Sequence, residues 1–200
     1  TVLGAGSGGA ISSLGGDVSV TESTFTNNQA RMNGGAIYAE GRNTVTGSNP
    51  QYTSDGTVTV TDSEFSNNQS RSSGGAIYAS GAVTATRSTF SSNKVTGDSA
   101  GGAIFSAHKV TLEDSTFNNN SIQRSYGGAI YTYGDITATR TNFSNNTAGS
   151  SGGAICSSGG NITLTDTNFS GNISNTGPGG AIYMYGVPST LRFTTTIPIT

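Results

Sequence analysis

The sequence is short of the residues on which many sites and cores depend. Among its 200 residues are one cysteine, one histidine and no tryptophan, and only 10% are charged. The single Cys156 excludes an internal disulfide and a zinc site. His108 has no second histidine with which to hold a metal or build a catalytic triad. We therefore expect neither a metal nor a cofactor.

Two further absences narrow the choice of partners. The sequence has no apolar run of about 18 residues, so we expect no transmembrane helix. It has 9 basic against 11 acidic residues and no basic block, which argues against nucleic acid as the main partner. The chain begins at Thr1 rather than at a methionine, and we expect it to be a processed product or an excised piece.

Large apolar residues are also scarce. Leu, Ile, Val and Phe number 36, whereas Gly, Thr, Ser and Asn number 107. Such a composition raises the question of disorder, but disorder normally also requires a high net charge, and the net charge here is −2. A chain with so few large apolar residues can fold if each recurs on a strict period, so the repeats decide the fold.

The sequence repeats along its whole length. Gly-Gly-Ala-Ile occurs seven times, and Phe-x-x-Asn lies six times between its copies. The isoleucines of the first motif are Ile11, Ile37, Ile77, Ile104, Ile130, Ile155 and Ile182. The steps between them are 26, 40, 27, 26, 25 and 27 residues. This spacing predicts a single array of about 26-residue repeats over 1–200, with an inserted loop at about 42–55 and an irregular tail at 187–200.

Each repeat predicts short strands rather than a helix. No window has the i, i+3, i+4 apolar spacing of a helix, and short alternating runs are separated by Gly and Asn. Three strands and three turns would form one coil of a β-solenoid, which buries its inner face only against neighbouring coils. The prediction is an all-β parallel β-helix of about seven coils with a triangular cross-section. We expect it to be right-handed, as parallel crossovers almost always are.

The alternation of side chains assigns each column to the inside or the outside. If the isoleucines point inward, the residue after each points outward. The second strand, such as Val58–Thr61, then carries apolar residues inward and Ser or Thr outward, with Glu113 as the exception. Phe follows the start of that strand by seven residues, an odd number, so a corner must reset the alternation and place Phe inside. Asn over Asn would form a hydrogen-bonded ladder at the next turn.

The alternation of Gly-Gly-Ala-Ile with Phe-x-x-Asn over nearly the whole chain resembles the repeats of chlamydial-type polymorphic outer-membrane proteins. Those repeats belong to autotransporter passenger domains. The resemblance implies a right-handed parallel β-helix with a role in adhesion. It also implies an extracellular or cell-surface location, with a host-cell protein, a matrix protein or a glycan as partner.

The outward column after the isoleucines is rich in aromatic residues. Exposed rings can stack on sugars or be buried by a protein partner, and they can also stack on one another and only stabilise the rod. Both interpretations stay open. The candidate binding stripe is Tyr38, Tyr78, Phe105, Tyr131, Tyr133, Tyr183 and Tyr185.

Acidic residues bear on an enzymatic alternative, because parallel β-helices include polysaccharide lyases and hydrolases. We expect Glu22, Asp62 and Glu64 to cluster, and carboxylates about 5–9 Å apart can perform acid–base glycoside chemistry. From Asp62 onward, however, the first residue of the third face alternates in sign, which predicts exposed ion pairs between coils. We favour a solvated acidic corner and expect no enzymatic activity.

The outward threonines of the second strand suggest ice binding as a further alternative. They would repeat about 7 Å along a strand and about 4.8 Å between coils, as a regular array. Threonine is also simply a good strand former, and Glu113 interrupts the array.

Seven Asn-x-Ser/Thr sequences occur, a number not far above chance for this composition. The Asn that belong to the turn ladder are poor acceptors, because a glycan would not fit there. The candidate glycosylation sites are Asn142, Asn168, Asn119 and Asn145.

The C-terminal residues depart from the pattern after Tyr185. Phe193 stands one residue from its expected place, and 194–200 predicts an extended strand with no coil of its own. Pro198 partly blocks edge pairing. We nevertheless expect this tail, through Thr194, Ile197, Pro198 and Ile199, to dock on residues 1–9 of another copy, a head-to-tail contact that builds filaments. The predicted function is a non-enzymatic structural or adhesive element outside the cell.

Overall fold

The computed structural model describes residues 6–46, 49–52, 55–186 and 189–195. This part of the chain contains strands, bends and turns and no helix. Successive coils pair in parallel and in register, isoleucine beside isoleucine and phenylalanine beside phenylalanine. The predicted all-β parallel solenoid of about seven coils is therefore confirmed.

Four parallel sheets run along the solenoid, each built from one strand per coil. The first sheet consists of Ile11–Leu14, Ile37–Glu40, Ile77–Ala79, Ile104–Ser106, Ile130–Thr132, Ile155–Ser158 and Ile182–Tyr185. The second consists of Val18–Thr21, Val58–Thr61, Val83–Thr86, Val110–Glu113, Ile136–Thr139, Ile162–Thr165 and Leu191–Thr194. The third consists of Thr24–Thr26, Glu64–Ser66, Thr89–Ser91, Thr116–Asn118, Asn142–Ser144 and Asn168–Ser170. The fourth consists of Gln29–Ala30, Gln69–Ser70, Lys94–Val95, Ser121–Ile122, Thr147–Ala148 and Ile173–Ser174.

The two glycines of each Gly-Gly-Ala-Ile motif meet different requirements at the corner before the first sheet. Gly101 has a φ of 74°, in the left-handed region that disfavours side chains. A Cβ on Gly102 would lie 1.9 Å from the carbonyl oxygen of Gly128 in the next coil. The corner therefore requires one glycine for its conformation and the other for close contact between coils.

The core consists of columns of like side chains. We number the coils 1 to 7 by their first-sheet strands, starting from Ile11–Leu14. Ile104, Val110 and Phe117, from the first three sheets of coil 4, are fully buried in one continuous cluster. The six phenylalanines of the third sheet stack with centroids 4.7 to 5.0 Å apart and interplanar angles of 2° to 13°. This spacing is close to the distance between neighbouring strands, so the backbone sets the stack. The predicted inward columns are confirmed.

Polar side chains form ladders between coils at two corners. The first corner lies between the second and third sheets, and the second lies between the third and fourth sheets. The residue at the first corner has a φ of 45° to 49° in every coil from Glu22 to Asp166, which resets the alternation as predicted. At the second corner, Asn120 Nδ2 donates to Asn146 Oδ1 at 3.0 Å and to the Phe90 carbonyl oxygen at 2.9 Å. Asn120 Oδ1 in turn accepts from Asn93 Nδ2 at 3.0 Å. The predicted asparagine ladder is confirmed.

Each complete coil has four strands, whereas three were predicted. A two-residue strand such as Ser121–Ile122 follows the asparagine turn, so the predicted triangular outline gains a short fourth side. Its inward residues Val95, Ile122 and Ala148 form a small cluster of their own. Two residues are too few for an alternation that a sequence pattern can detect.

The C-terminal strand corrects the prediction of an irregular tail. Leu191–Thr194 pairs in register with the second-sheet strand of coil 6, which places Leu191 beside Ile162 and Phe193 beside Leu164. Phe193 therefore continues a second-sheet column and is not a displaced third-sheet phenylalanine. The corner before this strand is longer than in coil 6, which hid the register in the sequence. Thr194 is exposed in this strand, whereas the predicted assembly residues Ile197, Pro198 and Ile199 lie outside the described residues.

The inserted loop contains a hairpin. Asn43–Thr46 pairs with Asn49–Tyr52, the one antiparallel pair among the described strands. It is inserted between the first and second sheets of coil 2, and the parallel register continues past it from Val18 to Val58. The solenoid therefore tolerates insertions at this corner without losing its register.

Candidate functional site

The outer face of the first sheet carries a stack of aromatic rings. Tyr38, Tyr78, Phe105 and Tyr131 follow the isoleucines of coils 2 to 5, and the parallel register places each ring beside the next. Neighbouring centroids are 5.1, 4.9 and 5.7 Å apart, with interplanar angles of 21°, 3° and 11°. Three of the four rings belong to a cluster separate from the core, so the first sheet is apolar on both sides.

This outer stack is largely covered, whereas the sequence predicted a stripe of exposed rings. Phe105 is 8% and Tyr131 4% exposed, and Tyr38 is also buried. The cover comes from the segments between the fourth sheet and the next coil, where Ala100 and Tyr126 bridge to each other and pack against the rings. The accessible aromatic surface is therefore smaller than predicted and lies towards the C-terminal end of the stack.

Coil 6 interrupts the stack, because Cys156 takes the aromatic position. Cys156 is fully buried, and burial raises the pKa of its thiol to about 12. Across this gap the Tyr131 hydroxyl lies 2.8 Å from the Tyr185 hydroxyl, a hydrogen bond that spans two coils. Tyr133 stands nearly perpendicular to Phe105 and Tyr131, at 84° and 89°, and does not join the stack. Tyr133 and Tyr185 are the accessible rings, at 52% and 37% exposure.

A groove of about 390 Å³ lies between these rings and the segments that precede the Gly-Gly pairs. The first sheet, with Tyr133 just after its coil 5 strand, contributes five aromatic residues to the lining, and the segments before the Gly-Gly pairs contribute a polar wall together with Tyr126. The lining extends from Tyr78 in coil 3 to Tyr185 in coil 7, whose side chain reaches back across coil 6 to hydrogen-bond with Tyr131 in coil 5. The aromatic lining is Tyr78, Phe105, Tyr126, Tyr131, Tyr133 and Tyr185. The polar lining is Asn33, Ser73, Asp98, Ser99 and Ser125, with Ala100 between the two walls.

The polar wall and Tyr126 were missed at the level of sequence. Tyr126 immediately precedes a Gly-Gly pair, where the neighbouring repeats have Ser73, Ala100 and Ser151. Tyr126 is thus an aromatic residue in a column of small residues, and the sequence alone makes this departure from the repeat visible. Nothing in the sequence shows that Asp98 lines the same groove as Tyr185, because the two are separated by several coils.

The electrostatics of the groove are those of a neutral aromatic surface beside one carboxylate. Burial, and then the hydrogen bond with Tyr185, raise the pKa of Tyr131, so this phenol stays protonated well above neutral pH. Asp98 lies 3.4 Å from Arg124, and both side chains are about seven-tenths exposed. Such an exposed contact is weak, which leaves the Asp98 carboxylate available as a hydrogen-bond acceptor.

The predicted acidic cluster does come together, in an open depression lined by Glu22, Asp62, Glu64 and Arg87. Arg87 donates from Nε and Nη2 to the two oxygens of Asp62, at 2.7 and 2.8 Å. Hydrogen bonding to Arg87 holds the pKa of Asp62 below its ordinary value. A general acid near neutral pH needs the opposite shift, so the geometry fits an ion pair better than an acid catalyst.

Ion pairs between coils recur at the corner after the second sheet. Arg140 Nε lies 2.6 Å from Asp114 Oδ1, and Arg140 Nη2 lies 2.6 Å from Glu113 Oε1. Together with the pair of Arg87 and Asp62, they confirm the predicted exposed ion pairs. Each contributes little to stability, because these side chains are substantially exposed and water screens the charges.

The outer face of the second sheet carries the predicted threonines in register. Thr84, Thr111 and Thr137 are paired neighbours in one column and are half-buried. In the second column the Glu113 carboxylate accepts a hydrogen bond from Arg140 of the adjoining corner. Glu113, which interrupts the threonine array, is therefore held by Arg140, a residue outside the array.

All four candidate glycosylation sites are exposed. Asn168 Nδ2 donates to Asn142 Oδ1 at 3.1 Å on the outer face of the third sheet. Asn119 and Asn145 occupy left-handed corner positions, with φ of 53° and 55°. Glycans on the four sites would project from two neighbouring columns.

Within the described ranges, no three His, Cys, Asp or Glu side chains come together in a way that would hold a metal ion. The same ranges contain no helix with the length and hydropathy needed to cross a membrane.

Comparison with known proteins bears on the fold. A family model described as a right-handed β-helix region matches residues 9–195. No curated protein and no solved structure matches the chain. The family match spans all seven coils, and it agrees with the right-handed solenoid expected from the sequence.

Proposed function

We propose that this chain, which belongs to the right-handed β-helix family, is a non-enzymatic structural and adhesive element outside the cell or at its surface. The observation that carries this proposal is the groove beside Tyr133 and Tyr185, where accessible rings face a polar wall on a rigid support. Accessible aromatic rings are enriched where proteins bind partners. The resemblance of the repeats to chlamydial-type outer-membrane proteins supports the location.

The acidic corner supports the absence of an enzymatic role. Asp62 is held by Arg87 in a bidentate ion pair, and its pKa is lowered, so it is a poor proton donor near neutral pH. A polysaccharide lyase or hydrolase would instead need this corner for turnover. Turnover of an acidic polysaccharide that is lost in Glu22→Ala or Asp62→Ala would therefore contradict the proposal.

The adhesive role can be tested by binding of the labelled chain to immobilised matrix proteins and to a glycan array. We expect binding to at least one of these surfaces, and its loss in the double variant Tyr133→Ser, Tyr185→Ser. The double variant Thr84→Ser, Thr137→Ser is the matched control, because it alters an outer face away from the groove. Equal binding by all three proteins, or no binding by any, would overturn the proposal.

A second copy of the chain is the structural partner in this proposal. Leu191 and Phe193 continue core columns on the last coil, yet they are 40% and 65% exposed. At the other end Ile11 and Phe25 are only half-buried against the core. The first- and third-sheet columns begin at these two residues and end at Ile182 and Phe169, which are also half-buried. Stacking of one copy on the next would cover both ends of these columns, and the head-to-tail contact would not close.

Sedimentation velocity tests this assembly. We expect elongated, concentration-dependent species that are abolished by Phe193→Asp and by deletion of 194–200, with the coils still folded by circular dichroism. Thr84→Ser, on the outer face of the second sheet and away from both ends, should assemble normally. Compact monomers of the unchanged chain at all concentrations would end this part of the proposal.

Ice binding is a second candidate function, favoured by the register of the threonines on the second sheet. Glu113 interrupts the array, so Glu113→Thr should increase thermal hysteresis, whereas Thr137→Tyr should remove it. Arg140 keeps its contact with Asp114 in the first variant, so the fold should be unaffected. The absence of thermal hysteresis in both the unchanged chain and Glu113→Thr would exclude this function.

A further inference from the structure

We propose that the groove binds an uncharged, unbranched glycan of flat, glucose-type sugar rings that lies along the solenoid axis. This inference rests on the proposed adhesive function and adds to it the chemical class of the ligand. It depends on three features of the groove: its accessible rings, its polar wall and its charge.

The accessible rings suit the apolar face of a sugar. Tyr133 is turned nearly perpendicular to Phe105 and Tyr131 rather than stacked between neighbouring rings, and it is 52% exposed. Tyr185 is the second accessible ring, held by its hydroxyl contact with Tyr131. Sugar rings with equatorial substituents present flat C–H faces, which pack on aromatic faces. Buried contacts on Phe105 and Tyr131 hold both platforms in place before a ligand arrives.

The polar wall suits the hydroxyl groups at the rim of a sugar ring. Asn33 accepts a hydrogen bond from the Ser73 amide through Oδ1, which leaves its Nδ2 as a donor. Asp98 is largely exposed and only loosely paired with Arg124, so its carboxylate can accept from hydroxyls. Ser99 and further serines of this wall can both donate and accept. A purely apolar partner would leave this wall unsatisfied.

The charge of the groove selects against anionic ligands. Among the described residues that line it, Asp98 is the one acidic side chain, and none is Lys, Arg or His. At the N-terminal end of the stack, Tyr38 donates to the carboxylate of Glu40. This carboxylate adds a second negative charge near Tyr78. Arg124 beside Asp98 is the one cation in this set, so sulfated or sialylated chains would still meet one positive against two negative charges.

The shape of the groove sets the direction of the ligand. Its lining comes from successive coils, from Tyr78 in coil 3 to Tyr133 in coil 5 and Tyr185 in coil 7, so the groove runs along the axis. Side-by-side platforms along the axis favour a linear chain over a single sugar, because each further ring adds contacts without a second ordering cost.

The experiment measures binding of cellohexaose and chitohexaose, with a heparin hexasaccharide as the anionic probe, by isothermal titration and on multivalent beads. We expect binding of at least one neutral probe and none of heparin. Tyr133→Ala and Tyr185→Ala should each weaken binding about fivefold or more, since each removes a stacking face. Asp98→Asn should weaken it about tenfold, because it replaces a charged acceptor.

Thr111→Ser, on the outer face of the second sheet and outside the groove, is the matched control and should bind as the unchanged chain does. Thermal unfolding of each variant shows whether the fold is intact. Stronger binding of heparin, or equal neutral binding by Tyr133→Ala, would overturn the inference. Binding to a matrix protein that depends on Tyr133, without binding to any neutral glycan, would overturn the glycan ligand and leave the adhesive function standing.

Discussion

Two stacks of aromatic rings run along this solenoid, one inside it and one outside. The inner phenylalanines keep centroid distances of 4.7 to 5.0 Å without interruption from Phe25 to Phe169. The outer stack widens to 5.7 Å between Phe105 and Tyr131 and is broken at Cys156. The inner rings are enclosed by sheets on all sides, so each must match its neighbour. The outer rings have a sheet on one side only, so single residues can depart from the repeat and create a binding surface.

The largest expected effect breaks the inner stack. Phe117→Ala should lower the free energy of unfolding by about 3–5 kcal/mol and Ile104→Ala by about 2–5 kcal/mol, because each leaves a cavity in a fully buried column. Tyr78→Ala, at a half-buried outer position, should cost clearly less. Urea unfolding followed by circular dichroism measures all three. Equal losses would show that the outer stack is as much a core as the inner one.

A smaller effect is expected from the ladder beside the inner stack. Asn120→Ala removes the acceptor of the Asn93 amide and side chain, and a buried donor without a partner costs about 1–3 kcal/mol. Asn118→Ala, on the more exposed side of the preceding strand, is the control and should cost little. If the control is as destabilised as Asn120→Ala, the ladder does not stabilise the inner columns through its hydrogen bonds.

Cys156, which takes the place of a ring in the outer stack, should make the free energy of unfolding depend on pH. Burial raises the pKa of Cys156 from its ordinary value near 9 to about 12. The folded chain therefore keeps the thiol protonated where the unfolded chain ionises it, and this stabilisation is complete below about pH 9 and lost as the pH rises towards 12.

The urea midpoint of the unchanged chain should thus fall more between pH 8 and pH 10 than that of Cys156→Ala. Tyr38 and Tyr131, whose pKa values are also raised by burial, are present in both proteins and act as an internal control. An equal fall of the urea midpoint in the two proteins would mean that burial does not raise the pKa of the Cys156 thiol.

The smallest expected effect concerns the repeated ion pairs on the surface. Arg87→Asn removes the contact with Asp62 but suits the left-handed conformation of the corner, where φ is 45°. The free energy of unfolding should fall only slightly, and by still less in high salt, because solvent screens this exposed pair. A loss as large as that of Phe117→Ala would show that an exterior repeat can stabilise the rod as strongly as the inner stack.

The sequence by itself determined the inner half of this protein. The seven isoleucines, the phenylalanine column and the asparagine ladder can all be assigned from the repeat alone, and the odd seven-residue offset places the corner that resets the alternation. A solenoid allows this because each coil meets its neighbours in the same register, so a buried column must repeat at the period of the chain. The fold class and the inward columns follow from that one constraint.

The outer half was decided only by the tertiary structure. Outward residues are not bound to repeat, and what covers them comes from segments such as Ala100 and Tyr126, whose packing leaves no periodic trace. The same holds for Leu191 and Phe193, whose register is visible only in their pairing with coil 6. The contact of Tyr131 with Tyr185 joins residues 54 positions apart, across the coil that carries Cys156. A period relates adjacent coils, and the groove is built from contacts that skip a coil or join different corners, so no local pattern can encode it.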